Sequence, residues 1–432
     1  MSQVKVAVLG AGSFVFGPSL LKDAIIERRL GGIELALVDT RQDAAELMAG
    51  VGQRMAREMG VDAAITACAD RATALDGADF VICCAADDLA RRFAADCEII
   101  QKYCPGHRVS EFGGIAGISY SLRQVALIQQ IVADMKRYCP RAWLLNLANP
   151  LPRVLQAARD EGARAVGFCS VSLSAYGLVW KALHGQALEY PFEPARSKLD
   201  ITMAGLNHFA WILRLADAET GNDMYPVLRE KIRTGALDDQ PLTKRVFEET
   251  GYLLAAGDNH VRDFLEPHPD VPPRMEPWHG SAEERSGRMA QLKDVAEGRA
   301  PLWPLFQKES WERPMSLIGA MAFGKPASFH ALNVANNGYM PALPATVFVE
   351  MPALAARVGP VPERIQLPFA VQPLCRRTAA MNDLIVRGAR WRKRELVDEA
   401  IDLDPTIIDK SAGRQAVTAC IEAHQDVLPH YQ

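Results

Sequence analysis

The first half of the chain alternates short apolar runs with longer segments of helical periodicity. The clearest runs are V-K-V-A-V-L at 4–9, I-E-L-A-L-V at 33–38 and F-V-I-C-C-A at 80–85. Continuous apolar runs of this kind are typical of strands buried on both faces of a parallel sheet. Further strands are predicted at 63–67, 143–147 and 165–168, and helices at 19–29, 44–59 and 122–138. Strands that alternate with helices predict a doubly wound α/β sheet.

The pattern changes near residue 199. We predict strands at 201–204, 211–215 and 345–350 among several helices, and a mostly helical tail at 375–428. The proline-rich stretch 267–277 is predicted to be a loop, because proline lacks the backbone N–H donor that helices and sheets need. Because no flexible linker separates the halves, we expect two closely packed domains. These are a doubly wound parallel-sheet domain at 1–198 and an α+β domain at 199–432.

Composition and charge argue against several classes of function. The 432 residues are 49% hydrophobic and 23% charged, with a net charge of -4. Because there is no basic run and no apolar run of membrane-spanning length, we expect neither a nucleic-acid partner nor a membrane. The N-terminus does not resemble a signal peptide, and the nine cysteines show no regular spacing. These features predict a cytoplasmic protein with reduced thiols.

A glycine-rich turn joins the first predicted strand to the first helix. Gly10 permits the tight turn, and Gly12 lets the backbone approach a pyrophosphate at the helix N-terminus. Asp39 ends the second strand, where its carboxylate can accept hydrogen bonds from ribose hydroxyls and repel the 2′-phosphate of NADP. Val15 replaces the third glycine of the fingerprint, so a turn that binds no ligand is the alternative.

We therefore predict that 1–198 is a Rossmann-type domain that binds NAD. The predicted cofactor-binding residues are Gly10, Gly12, Ser13, Phe14, Asp39, Ala85 and Asn149.

Polar motifs recur where strands end or loops begin. They are S-E-F-G-G (110–114), L-A-N-P (147–150), G-F-C-S (167–170), G-L-N-H-F (205–209) and A-A-G-D-N-H (255–260). In order and character the motifs resemble those of glycoside hydrolase family 4, and the resemblance covers nearly the whole chain. It implies an NAD-dependent and usually manganese-dependent glycosidase with a fold similar to lactate and malate dehydrogenases. The last two motifs are most similar to the branch that cleaves α-galacturonides.

The resemblance implies an unusual reaction for a glycosidase. Hydride leaves C3 of the sugar for NAD, the C2 proton becomes acidic, and the C1 substituent is eliminated. Water then adds and the hydride returns, so no net oxidation occurs. A metal ion is needed because the ketone and enolate develop negative charge.

The resemblance also assigns roles to five residues. Cys169 and His208 would bind the metal, expected to be Mn²⁺, with a thiolate and an imidazole that suit transition metals. Glu111 would protonate the leaving group. Asp258 would remove the C2 proton, with His260 as its partner, a substrate contact or a metal neighbour. The structural alternatives are a core thiol, a satisfied core histidine, a surface carboxylate at Glu111 and an Asx turn at Asp258.

Departures from the family pattern bear on the substrate. Ser170 replaces the histidine of the usual G-x-C-H motif, and the glycine-rich stretch after the acid is only partly kept at 114–117. No phosphate-binding features of the 6-phospho-glycosidase branches are recognisable. Arginine presents a planar fork of donors to carboxylates and sulfonates. We therefore expect a small-molecule glycoside that is anionic but not phosphorylated, a uronide or sulfonated sugar.

The arginines considered for this anion are Arg108, Arg123 and Arg262, each with a solvated surface arginine as the alternative. The predicted substrate-binding residues are Asn149, Arg123, Asn207 and Arg262. The 199–432 domain is expected to hold substrate and metal and to form a homo-oligomer, a dimer or tetramer.

Two other functions stay open at this point. The first is an NAD-dependent sugar or hydroxy-acid dehydrogenase with net release of NADH. The second is a non-catalytic NAD- or sugar-binding protein, which the departures at Ser170 and after Glu111 allow.

Overall fold

The N-terminal half forms a parallel sheet. The structure is a computed structural model, and it describes residues 3–188, 197–272, 282–303, 305–306, 311–428 and 431. The first six strands are β1 (Val4–Leu9), β2 (Ile33–Val38), β3 (Ala63–Ala67), β4 (Phe80–Cys83), β5 (Trp143–Asn146) and β6 (Arg164–Gly167). They pair in parallel in the order β3-β2-β1-β4-β5-β6. The predicted strands and their parallel arrangement are confirmed.

Helices connect these strands. They are α1 (Phe16–Lys22), α2 (Gln42–Met59), α3 (Arg71–Leu75), α4 (Leu89–Tyr103), α5 (Gly114–Tyr138), α6 (Leu151–Asp160) and α7 (Ser174–His184). A π-helical turn at Asp23–Glu27 extends α1. The predicted start of α5 at residue 122 is wrong, because the helix begins at Gly114. Its first turns are buried on every side and therefore lack the polar face on which a periodicity argument depends.

The second half continues the same sheet with antiparallel strands. These strands are β7 (Leu199–Leu206), β8 (Phe209–Asp217), β9 (Ala327–Ala335), β10 (Phe348–Ala356) and β11 (Gly359–Pro362). The order continues as β6-β9-β10-β7-β8, and β11 pairs antiparallel with the end of β10, giving eleven strands in the described sheet. Single residue pairs make two of the joins, Gly167 with Asn333 and Glu350 with Gly205. Strands β9 and β11 were not predicted, and β10 begins later than expected.

The remaining described helices cover this extended sheet. They are α8 (Tyr225–Arg233), α9 (Pro241–Thr250), α10 (Asp258–Val261), α11 (Ala282–Ala296), α12 (Pro314–Phe323), α13 (Gln372–Trp391), α14 (Arg394–Leu403) and α15 (Lys410–Ala423). The predicted helical tail is confirmed, and α13 and α15 pack against α4, α5 and α6 of the N-terminal half. The loop predicted at 267–277 has no helix or strand as far as residue 272, and its remainder lies outside the described residues.

The sheet places the ends of its parallel strands at one edge. Because β1, β2, β4, β5 and β6 are parallel, the residues that follow them meet at their common carboxyl edge. Most of the polar motifs follow these strands or the β7–β8 turn. No helix in the described part of the chain is both long enough and apolar enough to span a lipid bilayer.

Candidate active site

A cleft of about 1220 Å³ opens at this carboxyl edge. It brings together residues from the turns after β1, β2, β4 and β5 and from the segment before α5. Glu111 lines the cleft. So do all seven predicted cofactor-binding residues, namely Gly10, Gly12, Ser13, Phe14, Asp39, Ala85 and Asn149. Clefts of this kind at a switch in strand order are where doubly wound proteins bind dinucleotides.

The glycine turn is shaped by close backbone contacts. Gly10 has a φ of +81°, and a Cβ atom there would lie 2.8 Å from Cα of Ala85. A Cβ atom on Gly12 would lie 2.6 Å from Cβ of Ala44. Val15, where the third glycine is expected, is 54% exposed. The close contact of α1 instead uses Gly17, whose added Cβ would lie 2.5 Å from the carbonyl oxygen of Ala11. The third glycine of the fingerprint is therefore found at position 17, two residues after the expected position 15.

Asp39 is fixed at the rim of the cleft. Its Oδ2 accepts a 2.9 Å hydrogen bond from the backbone N–H of Gly12, and its Oδ1 accepts one from the N–H of Arg41 at 3.0 Å. The Arg41 side chain turns away and pairs with Asp43 at 2.8 Å. A carboxylate held in this way can accept hydrogen bonds from ribose hydroxyls, and the Arg41 guanidinium is paired with Asp43.

Glu111 lies inside the cleft and is only 4% exposed. Its Oε2 accepts a 2.7 Å hydrogen bond from Nδ2 of Asn149, which follows β5. Burial raises the pKa of the neighbouring Tyr120 hydroxyl well above its ordinary value, and the Glu111 carboxylate adds to that rise. The alternative of a surface carboxylate at Glu111 is therefore wrong. The acid and the amide predicted to contact substrate are adjacent within the dinucleotide cleft.

His208 forms the second part of the site. It follows β7 with a φ of +62°, is 3% exposed, and stacks on Phe112 with ring centroids 4.3 Å apart. Neither ring nitrogen has a hydrogen-bond partner among the described residues. Burial lowers the pKa of His208 well below its ordinary value, so the ring is neutral. A neutral, buried imidazole whose acceptor nitrogen has no hydrogen-bond partner among the described residues fits a metal ligand.

Asn207 connects Cys169 with His208, because it precedes His208 in the chain and its side chain hydrogen-bonds the Cys169 thiol. Burial raises the pKa of the Cys169 thiol far above its usual range and the Glu350 charge adds to this, while a hydrogen bond from Asn207 opposes it. The Oδ1 atom of Asn207 is buried and has no partner in the described structure. A thiol, an imidazole and an amide oxygen suit a transition metal. Among the described residues, no group of three or more His, Cys, Asp and Glu side chains is placed to bind a metal ion.

Sequence reasoning missed Glu350. This residue of β10 is 0% exposed, and its Oε2 accepts hydrogen bonds from the side-chain amides of Asn207 and, at 2.9 Å, Asn333. Its Oε1 accepts one from the Ser172 hydroxyl. Burial raises the pKa of Glu350, and these three donors oppose the rise. The available signal was a glutamate within the apolar run F-V-E-M at 348–351.

Asp258 and His260 take different places. The Asp258 carboxylate accepts hydrogen bonds from the backbone N–H groups of Leu242 at 3.0 Å and Thr243 at 2.8 Å, at the start of α9. It is thus used as a helix cap and does not line the cleft. The His260 ring lies 4.9 Å from the His208 ring, at 85°. The structure therefore brings His260 to the metal-binding candidates, whereas a base role for Asp258 has no support from its contacts.

The three candidate arginines also differ. Arg123 pairs with the buried Asp96 at 2.9 Å and does not line the cleft, so its contacts support a structural role. Arg262 is half-buried, and its Nη1 lies 3.5 Å from the carbonyl oxygen of Pro272. Arg108 is buried, and no carboxylate among the described residues lies within ion-pair distance of it. Ser170 donates to Glu312 at 2.9 Å.

A dinucleotide-type cleft lined by the buried carboxyl group of Glu111, with a thiol at Cys169 and an imidazole at His208 in the segments that follow β6 and β7, indicates an enzyme of the doubly wound class. Comparison with known families is more specific. Residues 5–184 match the model of the family 4 glycosyl hydrolases, and residues 203–407 match the model of their C-terminal domain. The chain therefore belongs to glycosyl hydrolase family 4, and the predicted enzyme class is confirmed.

Curated relatives cover the whole chain. An α-galactosidase of Bacillus subtilis is 27% identical over 99% of this chain and 100% of its own length. An α-galacturonidase of the same species is 25% identical over 96% of each.

Solved structures confirm the fold. A 6-phospho-α-glucosidase from gut microorganisms, in complex with NAD and Mn²⁺, has a TM-score of 0.79 at 21% identity and covers 100% of both chains. Malate dehydrogenase of Plasmodium falciparum, in complex with NADH, has a TM-score of 0.51 at 12% identity and covers 91% of this chain and 100% of its own. The expected similarity to malate dehydrogenases is confirmed.

Proposed function

We propose that this enzyme hydrolyses a non-phosphorylated anionic glycoside through temporary oxidation at C3, with NAD and Mn²⁺ as cofactors. The observation that carries the proposal is the Glu111–Asn149 hydrogen bond inside the cleft built by the glycine turn and Asp39. It supports an acid role for Glu111 and a hydroxyl-binding role for Asn149, because both side chains line the cleft proposed to hold the dinucleotide. Support for the cofactors comes from the related 6-phospho-α-glucosidase structure, which contains both.

The residues present fit both groups. Gly10, Gly12 and Asp39 would hold the dinucleotide, and Cys169 and His208 would bind the metal. When bound, NAD would accept and return the C3 hydride, and the metal ion would stabilise the negative charge that reaches the C3 oxygen when C2 loses its proton.

The chain's own groups carry out the proton transfers. Glu111, buried and held by Asn149, is the acid that protonates the departing oxygen at C1. We assign proton removal at C2 to His260, because its ring lies beside His208. Asp258 is then a positioning residue, since its carboxylate ties the His260 turn to the start of α9.

The test is a comparison of two aryl glycosides that differ only in charge, an aryl galacturonide and the matching aryl galactoside. We expect hydrolysis that requires NAD and Mn²⁺ under reducing conditions, faster for the galacturonide. Equal rates would contradict the anionic substrate. Stoichiometric NADH would indicate a dehydrogenase, and the absence of both NAD and metal binding would indicate a non-catalytic protein.

A further inference from the structure

Arg108 is a buried cation without a close partner. Its side chain is 9% exposed, and its Nη2 atom is shielded from solvent with no hydrogen-bond acceptor in the described part of the chain. Burial lowers the pKa of the guanidinium to about 10, so it remains charged at neutral pH. Buried charges are normally paired, because removing an ion from water is costly. Nη2 of Arg108 is therefore a charged donor that no acceptor among the described residues uses, and it is suited to an anion from outside the chain.

A cavity provides the space for that anion. The segments 103–108, 267–272 and 406–412 line a cavity of about 710 Å³, and Arg108 lies in its wall together with His107 and His268. Among the described residues, none lines both this cavity and the dinucleotide cleft. Asp409 is also at its wall, but the Asp409 carboxylate caps α15 by accepting the N–H of Ala412 at 2.9 Å.

The carboxyl groups that act electrostatically on the guanidinium are shared with other arginines. Asp263 and Asp404 act on both Arg108 and Arg153, and Asp263 acts also on Arg262. Burial raises the pKa of Asp263 to about 6, while Arg108 and Arg262 oppose that rise. The Asp404 carboxylate is already occupied by the backbone N–H groups of Gly114 at 2.7 Å and Thr406 at 2.9 Å.

We infer that this cavity binds the anionic group of a small molecule, a carboxylate, sulfonate or phosphate, and that Arg108 is the residue that recognises it. The anion has two possible sources, the charged group of the glycoside itself or a free anion that binds apart from the sugar. The first source rests on the proposed function, and the second does not. In either case Arg108 and Glu111 lie in the same segment before α5. A short stretch of backbone therefore connects the anion site at Arg108 with the acid at Glu111.

The experiment measures binding rather than turnover, so that its failure differs from failure of the proposed glycosidase. Calorimetric titrations of the full chain, loaded with NAD and Mn²⁺ at constant ionic strength, would use galacturonate, galactose and sulfate. Wild type would be compared with R108Q, R108K and R233Q. Arg233 is an exposed arginine paired with Glu230, so R233Q is the matched control for loss of one positive charge.

We expect galacturonate to bind wild type and R233Q equally, and R108Q about 10- to 100-fold more weakly, as for loss of charge-assisted hydrogen bonds in a buried site. R108K should fall between, because it keeps the charge without the planar fork. Galacturonate binding that sulfate displaces only at high concentration identifies the sugar as the source. Sulfate binding with the same dependence on Arg108, but no galacturonate binding, identifies a free anion.

Two results would overturn the inference: no anion binds the wild type, or R108Q binds as tightly as R233Q. Thermal melting in the presence and absence of each anion guards against a misfolded variant. The anion should raise the Tm of wild type and of R108K, and an equal rise in R108Q would also refute the role of Arg108.

Discussion

Replacing Glu350 with glutamine should weaken metal binding without lowering the stability of the fold. The carboxylate is fully buried and holds Asn207, the residue that also hydrogen-bonds Cys169. Glutamine fits the same space: its carbonyl oxygen can accept from the Asn207 and Asn333 amides, and its NH₂ can donate to the Ser172 hydroxyl after that hydroxyl rotates. The variant therefore removes the charge and leaves the hydrogen-bond count nearly unchanged.

The two expected effects have opposite signs. Mutation of a residue that supports the metal ligands from behind typically lowers metal affinity about 10- to 100-fold, which is roughly 1.4 to 2.8 kcal/mol. Stability should be unchanged or higher at neutral pH. The folded state raises the pKa of Glu350 above its ordinary value of 4.5. The ionised group therefore destabilises the fold increasingly as pH rises above 4.5, and glutamine removes that penalty.

The assay is a titration with Co²⁺ followed by the absorption of the cobalt–thiolate bond, with Tm measured on the same samples. Asp23→Asn is the control, since Asp23 is another fully buried carboxyl group whose pKa is raised by burial, to about 7, away from the site. Unchanged Co²⁺ affinity in E350Q would refute the reasoning. So would a large fall in Tm accompanied by loss of NAD binding, because that would make Glu350 a general structural residue.

Four further predictions follow from the site and its surroundings. Glu111→Gln should slow hydrolysis of glycosides with poor leaving groups about 10²- to 10⁴-fold and activated aryl glycosides much less; equal losses would argue against an acid role. Asp39→Ala should weaken NAD binding and reduce the ratio of NAD affinity to NADP affinity, as measured by fluorescence titration. The reason is that one carboxylate both accepts the Gly12 N–H and would accept the ribose hydroxyls. His260→Ala should abolish exchange of the C2 proton while Asp258→Asn keeps it, whereas the reverse result would restore Asp258 as the base. Asp96→Asn should lower stability by about 3–5 kcal/mol in denaturant unfolding without changing KM for anionic glycosides. Burial opposes ionisation of Asp96, but His424 and Arg123 together lower its pKa below the ordinary 3.8, so this stability is present above that pH and is lost as pH falls below it.

The parallel half of the fold could be predicted because its strands are buried on both faces. Strands β1, β2 and β3 begin and end at the predicted residues, since apolar runs bounded by turn residues leave little choice. Strand β9 could not be predicted, because its mixed sequence A-S-F-H-A-L-N-V-A forms a strand through long-range pairing, mostly with β10 and at one residue pair with β6. The start of α5 was missed for the opposite reason, since burial on all sides leaves no periodicity.

The candidate site could be predicted in part. Residues at the ends of parallel strands are brought together by topology, so Gly10, Asp39, Ala85 and Asn149 meet in one cleft. A glutamate in an apolar run indicates only that Glu350 is unusual; its role beside Asn207 depends on β10 lying next to β7, a long-range pairing that no local pattern contains. The arginines show the same limit: Arg108 and Arg123 look alike in sequence, and only the position of Asp96 separates the paired one from the unpaired one.

The central claim is that the NAD is oxidised and restored within each turnover while C2 loses its proton. Its most direct test is hydrolysis of an aryl galacturonide in D₂O with NAD and Mn²⁺, followed by mass spectrometry and NMR of the sugar product. The account predicts one deuterium at C2 of the product and no accumulation of NADH. Product with hydrogen retained at C2, or NADH formed in step with product, would contradict it.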